Sequence, residues 1–530
     1  MIFIVMGKIL FIIKETMSLY KKNVRVLVIE ASNQLAPQEK ARPQGTLGPA
    51  YIIGSLRENG IETDYIDATV GQEGRDLNET FYRNEEMENG NFRYGMDPKE
   101  FPQLFSNYDI VATSSIFTYQ TRMHFEIARM VKKASKESGK KILAISGGVN
   151  ARSLREHFLS NGFDIVALGE GEKTIVQIVH QFSSEKPDYS QVERIAYREN
   201  GKTITTGAPP KKGTKFIEGI PNPAIDAFPL STYQKLGIPH GGFLEPGTKY
   251  SELQTSRGCQ DKCTYCHISL EKEERDLVGD IGFLKMFSNE RVAEDVDRAV
   301  KLGVSRIYFE DDNLFFNKKR LFKLAPYLKR EGLSYSNQNG ANLRFLVKKN
   351  SVGAYETDDE FIEMLADFGL DEQMLPFETK SQEMMKKYAT GKFDPDEMDP
   401  ISILKSLKKH GIWTRSAFLI GFRDQSWESI LETKEFAKEL FNEGLDQAGF
   451  SIPVPFPGTK DFQYEMSKPD VYKDFNENLL YYTDRMNVRN KPLFQTEVPG
   501  EDLQAAVHDF WEELNESRYV EKSREHAVGK

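Results

Sequence analysis

Glu252-Leu253-Gln254-Thr255-Ser256-Arg257-Gly258-Cys259-Gln260-Asp261-Lys262-Cys263-Thr264-Tyr265-Cys266 decides how the rest of the chain is read. A strand candidate, Glu252–Ser256, runs into a loop whose cysteines are separated by three and by two residues, and these are the only 3 cysteines among 530 residues. Three thiolates from one short loop can hold three irons of a 4Fe-4S cluster and leave the fourth iron to a ligand that is not protein. A lone cysteine usually packs as a small apolar side chain. Here all three stand together, and Gly258 allows the tight backbone turn that a metal requires. Zinc is the rival, because His267 follows directly and could complete a four-ligand set.

Outward from this loop the chain alternates strands and helices. Strand candidates are Glu252–Ser256, Arg306–Glu310, Tyr335–Gly340, Glu372–Glu378, Thr414–Phe422 and Gly449–Val454, with amphipathic helices such as Val292–Leu302, Phe361–Phe368 and Trp427–Phe441 between them. Six βα units make an incomplete TIM-type barrel, a partial (β/α)6, whose reactive groups belong on loops at the carboxyl ends of the strands. The cysteine loop follows the first strand and falls on that face.

Residues 24–182 repeat the alternation. Strands are expected at Val24–Ile29, Glu62–Ile66, Asp109–Ser114, Lys141–Ser146 and Asp164–Leu168, and helices at Pro49–Asn59, Gln120–Ser138, Ala151–Ser160 and Glu172–Phe182. This pattern predicts an α/β, doubly wound, mostly parallel sheet of Rossmann-like type, which binds ligands beyond its strand ends. Those ends read Thr113-Ser114-Ser115, Ser146-Gly147-Gly148-Val149-Asn150 and Gly169-Glu170-Gly171-Glu172. Residues 70–108 are polar and read as an insertion rather than as core. Gln191–Thr206 reads as a hairpin turning at Glu199-Asn200-Gly201, and Ile220–Pro229 as a Pro-rich semi-rigid link.

The Cys-x3-Cys-x-aromatic-Cys loop resembles the signature of the radical S-adenosylmethionine (SAM) superfamily. The three small-residue loops ahead of it resemble the cobalamin-binding domain found in one branch of that superfamily. The resemblance implies that Cys259, Cys263 and Cys266 hold a 4Fe-4S cluster. It places SAM against Tyr265, Glu310, Asp311, Asn342, Glu378, Ile420 and Ile452, and cobalamin against Thr113, Ser114, Ser115, Gly147, Gly148, Gly169, Glu170 and Gly171. No catalytic side chain is assigned. The sequence departs from the pattern at Thr379, Arg423 and Gln425, and no histidine precedes His124, so the histidine motif that ligates cobalt in other cobalamin proteins is absent. Short segments, among them Asn339-Gly340-Ala341-Asn342-Leu343 and Ile452-Pro453-Val454-Pro455-Phe456-Pro457-Gly458, are similar to methylases of the fosfomycin pathway, which implies a phosphonate or nucleotidylated small molecule as substrate.

The implied activity is C-methylation of an unactivated carbon, with cobalamin as methyl carrier. With all three cysteines committed to one cluster, no thiol remains for a second cluster or a methyl-carrying cysteine. Two alternatives stand beside it. One is a cobalamin-dependent radical SAM enzyme that rearranges or cyclises a ring without methyl transfer, and the other is a zinc-stabilised binding protein.

Charged residues are 28% of the chain, hydrophobic ones 39%, and the net charge is -10. That balance argues against nucleic acid as partner. The expected partners are a small-molecule substrate and a one-electron donor such as flavodoxin or ferredoxin, with no membrane. Few cysteines and an oxygen-sensitive cluster point to the cytoplasm. The expected organisation is an extension at 1–23 that lies upstream of the native start, a cobalamin-binding domain at 24–185, hairpin and linker at 186–249, a radical SAM barrel at 250–457, and a helical region at 458–530.

Overall fold

The computed structural model describes residues 23–528 except 38, 208–214, 218, 240–243, 245–246, 390–391 and 395–396, so the expectation for residues 1–22 lies outside the described residues. The chain divides into two compact units. The first is the chain up to Lys211 with Gly219–Pro229 and Glu274–Gly279, and the second holds Lys212–Glu218, Leu230–Glu273 and Asp280 onward.

In the first unit β1 (Arg25–Glu30), α1 (Leu47–Glu58), β2 (Glu62–Asp67), β3 (Ile110–Ser114), α2 (Thr121–Ser138), β4 (Leu143–Gly147), β5 (Ile165–Ala167) and α3 (Gly171–Ser183) follow one another. The hairpin β6 (Ile195–Glu199) and β7 (Lys202–Thr205) comes next. The sheet order is β7-β6-β5-β4-β3-β1-β2. The five strands from β2 to β5 pair in parallel. Val26, Leu27, Val28 and Ile29 are all buried, as a continuous apolar run in a strand covered on both faces should be. The hairpin extends this sheet, because β6 pairs antiparallel with β5. It turns at Asn200 and Gly201, both with positive φ, as a two-residue turn of this type requires.

Three expectations need correction. The helix expected at Ala151–Ser160 is two short ones, Val149–Ser153 and Arg155–Ser160, broken at Leu154. Residues 70–108 are not a polar excursion. Phe81, Tyr94, Met96, Phe101, Phe105 and Tyr108 are buried, and Phe92–Tyr94 pairs with Asn33–Leu35 in a small antiparallel sheet. The apolar residues there are few and spread among polar runs, and only Phe101, Leu104 and Phe105 carry a short helical spacing. The Pro-rich stretch likewise packs onto its own unit: Ala224 N donates to Ala50 O at 2.9 Å, and the Phe228 ring lies 4.7 Å from that of Tyr65.

Glu30 ends β1 as a buried carboxylate. It accepts from Gly45 N at 2.9 Å and Thr46 N at 3.2 Å, and from the hydroxyls of Thr46 and Tyr65. Burial, with Asp67 adding repulsion, raises it from 4.5 to about 7. An acid raised on folding binds its proton more tightly in the folded chain, so this contribution to stability is full below the unfolded value and is lost as pH rises through about 7. Unfolding free energy should therefore fall by roughly 2–3 kcal/mol more for wild type than for Glu30→Gln between about pH 5 and about pH 8. Equal pH slopes in denaturant titrations of the two proteins would rule this out.

The second unit has β8 (Tyr250–Leu253), α4 (Asn289–Lys301), β9 (Arg306–Phe309), α5 (Lys318–Leu328), β10 (Ser334–Asn337), α6 (Asp359–Asp367) and β11 (Leu370–Glu378). These are followed by α7 (Pro400–Lys409), β12 (Trp413–Leu419), α8 (Trp427–Asn442), β13 (Gln447–Ser451) and α9 (Gly500–Val528). The six strands lie side by side in chain order, and every pairing is parallel. The first strand ends earlier than expected. Ser256–Arg257 leaves the sheet to pair with Lys285–Met286, which fixes both ends of the cysteine-bearing excursion. On the sheet, Arg306 Nη2 meets Glu372 at 2.8 Å and Arg415 Nε meets the same carboxylate at 3.4 Å. Helix α9 closes the β13 edge: Phe510 packs edge-on against Phe450 at 5.4 Å, and the Asn515 carboxamide bonds both backbone groups of Ala448. Such an edge is otherwise open to pairing. Among the described residues no helix is long and apolar enough to cross a membrane.

Candidate functional site

Gly258 opens the cysteine loop at φ +80°, and a Cβ there would stand 2.3 Å from Phe283 O, so only glycine fits. Its N–H donates to Asp312 Oδ2 at 2.7 Å. The floor of the loop is held by Ser269 Oγ, which donates to Cys263 O at 2.7 Å, and by Thr264 N, which donates to Tyr388 O at 2.9 Å. Cys263 is buried, and Cys259 and Cys266 are partly so. Burial pushes the Cys263 thiol up to about 11 and the Cys266 thiol up to about 12, and raises Cys259 as well. Thiolates here need a cationic centre to hold them.

The residue set fits an iron-sulfur cluster better than zinc. The loop offers three sulfurs, the number that a 4Fe-4S cluster with one open iron takes, and His267 Nδ1 beside it lies 3.0 Å from Glu271 Oε1. Beside Cys259 two buried acceptors, Asn313 Oδ1 and Asn342 Oδ1, have no hydrogen-bond partner, as expected of a pocket built around a group that is not protein. No three His, Cys, Asp or Glu side chains already converge on a metal position among the described residues.

The three carboxylates after β9 do three different things. Glu310 Oε2 accepts from Asn339 Nδ2 at 3.1 Å, and burial raises it to about 7. Asp312 caps Gly258. Asp311, expected to meet SAM, is fully buried and accepts from Thr255 N at 2.9 Å, Thr255 Oγ1 at 2.7 Å and Ser256 Oγ at 2.5 Å. Its carboxylate is spent on the root of the cysteine loop. Arg320, on α5, reaches the same root through Thr255 Oγ1 at 3.1 Å and Thr255 O at 2.9 Å. Asn342 Nδ2 donates to Asp261 Oδ2, and Arg344 Nη2 meets Asp261 Oδ1 at 2.7 Å.

Glu378 ends β11 with φ +60°. A non-glycine residue held there is strained, and such strain gathers at functional positions. Its carboxylate accepts from the Tyr265 hydroxyl at 3.0 Å and pairs with Lys392. Burial alone would lower the Lys392 ammonium, but Glu378 and the nearby thiols outweigh it and leave it raised. Tyr265 and Leu419 pack against Met384, Tyr388 and Phe422. Ile420 and Ile452 are buried, and their backbone N–H groups bond Ser451 O at 3.0 Å and Val488 O at 2.7 Å. Gln425, a departure in sequence, accepts from Gly421 N at 2.8 Å and Phe422 N at 3.3 Å and shapes that turn. Sequence reading missed Asp261, Asn313, Arg320, Arg344 and Lys392. Only Asp261, lying between two of the cysteines, carried a signal.

In the first unit all eight candidate residues sit at or just past the ends of the adjacent strands β3, β4 and β5. Thr113 Oγ1 donates to Ser146 Oγ at 3.0 Å and lies 3.2 Å from His124 Nδ1, while Ser115 Oγ accepts from Asn150 Nδ2 at 2.9 Å. The Ser114 side chain, opposite Gly147, has no hydrogen bond among the described residues. Gly148 has φ +90°, and a Cβ on it would press to 2.4 Å from Ser115 O. Gly169 and Glu170 link β5 to α3, which starts at Gly171. His124 is buried, and desolvation lowers it to about 3, so the imidazole stays neutral. The small residues and one unpartnered hydroxyl fit a large planar group held without a histidine.

Residues 253–437 match the Radical SAM superfamily. An uncharacterized methyltransferase of Pyrococcus horikoshii is 27% identical over 343 residues, which span 64% of this chain and 66% of that protein. The cytidylyl-2-hydroxyethylphosphonate methyltransferase of Streptomyces wedmorensis is 24% identical over 93% of this chain and 90% of its own length. Among solved structures, the radical S-adenosylmethionine methyltransferase TsrM from Kitasatospora setae, with cobalamin and a [4Fe-4S] cluster bound, shares the fold at a TM-score of 0.59 and 14% identity. That match covers 84% of this chain and 78% of TsrM. This chain therefore carries a radical SAM domain at residues 253–437 and is homologous to the cytidylyl-2-hydroxyethylphosphonate methyltransferase.

Proposed function

We propose that this chain is a cobalamin-dependent radical SAM methyltransferase acting on an unactivated carbon of a small molecule, a phosphonate or a nucleotidylated intermediate. The observation that carries this reading is the three-cysteine loop at the carboxyl end of the first strand of an all-parallel sheet, with unpartnered acceptors buried beside Cys259. We read that sheet as a partial (β/α)6 barrel and the first unit as a Rossmann-like cobalamin domain. The names of the relatives support methyl transfer, and that of the Streptomyces wedmorensis protein supports the substrate class.

Cys259, Cys263 and Cys266 would hold the cluster. Thr113, Ser114, Ser115, Gly147, Gly148, Gly169, Glu170 and Gly171 would line the corrinoid site. When bound, the cluster supplies one-electron chemistry at an open iron and the corrinoid supplies methyl carriage. The chain's own residues do the positioning. Glu310 and the free Asn342 oxygen suit the ammonium of SAM, and Glu378 suits its ribose hydroxyls. Tyr265, with Phe422 and Tyr388 behind it, forms an apolar wall that keeps water from a reactive centre. A flavodoxin or ferredoxin in the cytoplasm would deliver the electron.

Anaerobically reconstituted protein, given SAM, cobalamin, reductant and a cytidylylated 2-hydroxyethylphosphonate, should release both S-adenosylhomocysteine and 5'-deoxyadenosine and add one CH2 to the substrate. Release of 5'-deoxyadenosine with no S-adenosylhomocysteine from any accepted substrate would overturn methyl transfer.

A further inference from the structure

The three cysteine sulfurs do not share one environment. Cys259 Sγ accepts from Asp261 N at 3.5 Å and from Asn313 Nδ2 at 3.9 Å. Asn313 is buried, so this donor is fixed and has little competition from water. The Asp261 carboxylate lies close to the same sulfur at 3.6 Å, but its charge is met by Arg344 and by the Asn342 amide. On the Cys263 and Cys266 side the cation is Lys392, which stands there with the Glu378 carboxylate. Its ammonium is paired to Glu378 and stands 5.5 Å from the centroid of the Tyr265 ring, the residue directly before Cys266. Lys392 is held by the ion pair, the ring face and partial burial. The two neighbouring thiols also act on it electrostatically.

The oxidised cluster takes one electron from an external one-electron donor. No bond forms or breaks, and the ligated cluster becomes more negative by one charge. A nearby cation and an N–H donor to a ligand sulfur both favour the more negative state, and hydrogen bonds to sulfur and local charge are established determinants of such potentials. Resting on the reading of this loop as a cluster site, we propose that Asn313 at Cys259 and Lys392 at Cys263 and Cys266 set the reduction potential of the cluster, holding it high enough for a cellular donor to reduce. Both are positioning residues. Neither needs to touch the substrate.

Redox titration of the reconstituted holoenzyme, followed by electron paramagnetic resonance, tests this together with iron and sulfide content. Lys392→Met should lower the reduced-to-oxidised ratio at a fixed ambient potential about tenfold, a shift of about 59 mV to more negative values for a one-electron couple. Asn313→Leu should shift the midpoint in the same direction by less, and Lys392→Arg should stay at the wild-type value. Wild-type midpoints in both Lys392→Met and Asn313→Leu at full iron and sulfide would overturn the proposal. If Lys392→Met holds no iron, the midpoint of Asn313→Leu decides alone. Wild-type protein that takes up no iron and sulfide would instead sink the cluster reading beneath it.

Discussion

Cys263→Ala is expected to purify without a 4Fe-4S cluster and to cleave SAM only at background. The chain has no spare thiol to take over, since its 3 cysteines all stand in the one loop. Cys263 is the most buried of them, and its backbone is pinned through Ser269 and the neighbouring Thr264, so no other side chain can swing into its place. Two thiolates leave two irons without a protein ligand, and a cluster so held is lost. Stability should change far less: alanine replaces a small apolar group, and the metal-free variant should unfold within about 1 kcal/mol of metal-free wild type. Iron and sulfide analysis with denaturant titration separates the two effects. Stoichiometric iron and sulfide in Cys263→Ala would contradict the assignment of these cysteines.

The readable parts of this molecule were those written in local pattern. Val26 to Ile29 form an unbroken apolar run, and they became a strand buried on both faces of a parallel sheet. Asn200-Gly201 supplied two residues that accept positive φ, and the hairpin turned there. What stayed hidden depends on partners far apart in sequence. Three successive carboxylates, Glu310, Asp311 and Asp312, look alike in a string of letters. Only the folded chain assigns them to Asn339, to Thr255 and Ser256, and to Gly258. Lys392 sits in a stretch with no periodicity and gains its meaning from Glu378, whose positive φ no sequence rule foretells. The buried aromatics of residues 70–108 were concealed by the same cause, since they are few and separated by polar runs. Phe101 and Phe105, one helical turn apart, stack at 5.2 Å.

Asp311 allows the two kinds of reading to be set against each other. If it bound SAM, as family resemblance implies, its removal would weaken SAM binding and leave the fold intact. The structure gives it different work: it receives one backbone N–H and two hydroxyls from the root of the cysteine loop, and its charge acts on partly buried Arg320. Asp311→Ala would strand the Thr255 N–H, at a cost of about 1–3 kcal/mol, and take away a carboxylate whose charge acts on partly buried Arg320. The Thr255 and Ser256 hydroxyls lose the same charged acceptor, which brings the whole loss to about 3–5 kcal/mol. A fall of that size in unfolding free energy is expected, accompanied by loss of iron as the loop loses its anchor. Asp311→Asn, which keeps the shape and one acceptor, should fall by only about 1–3 kcal/mol. Were Asp311→Ala to unfold like wild type, retain its cluster and lose affinity for SAM alone, the carboxylate would be a ligand contact and Arg320 with Thr255 would have to carry the loop without it.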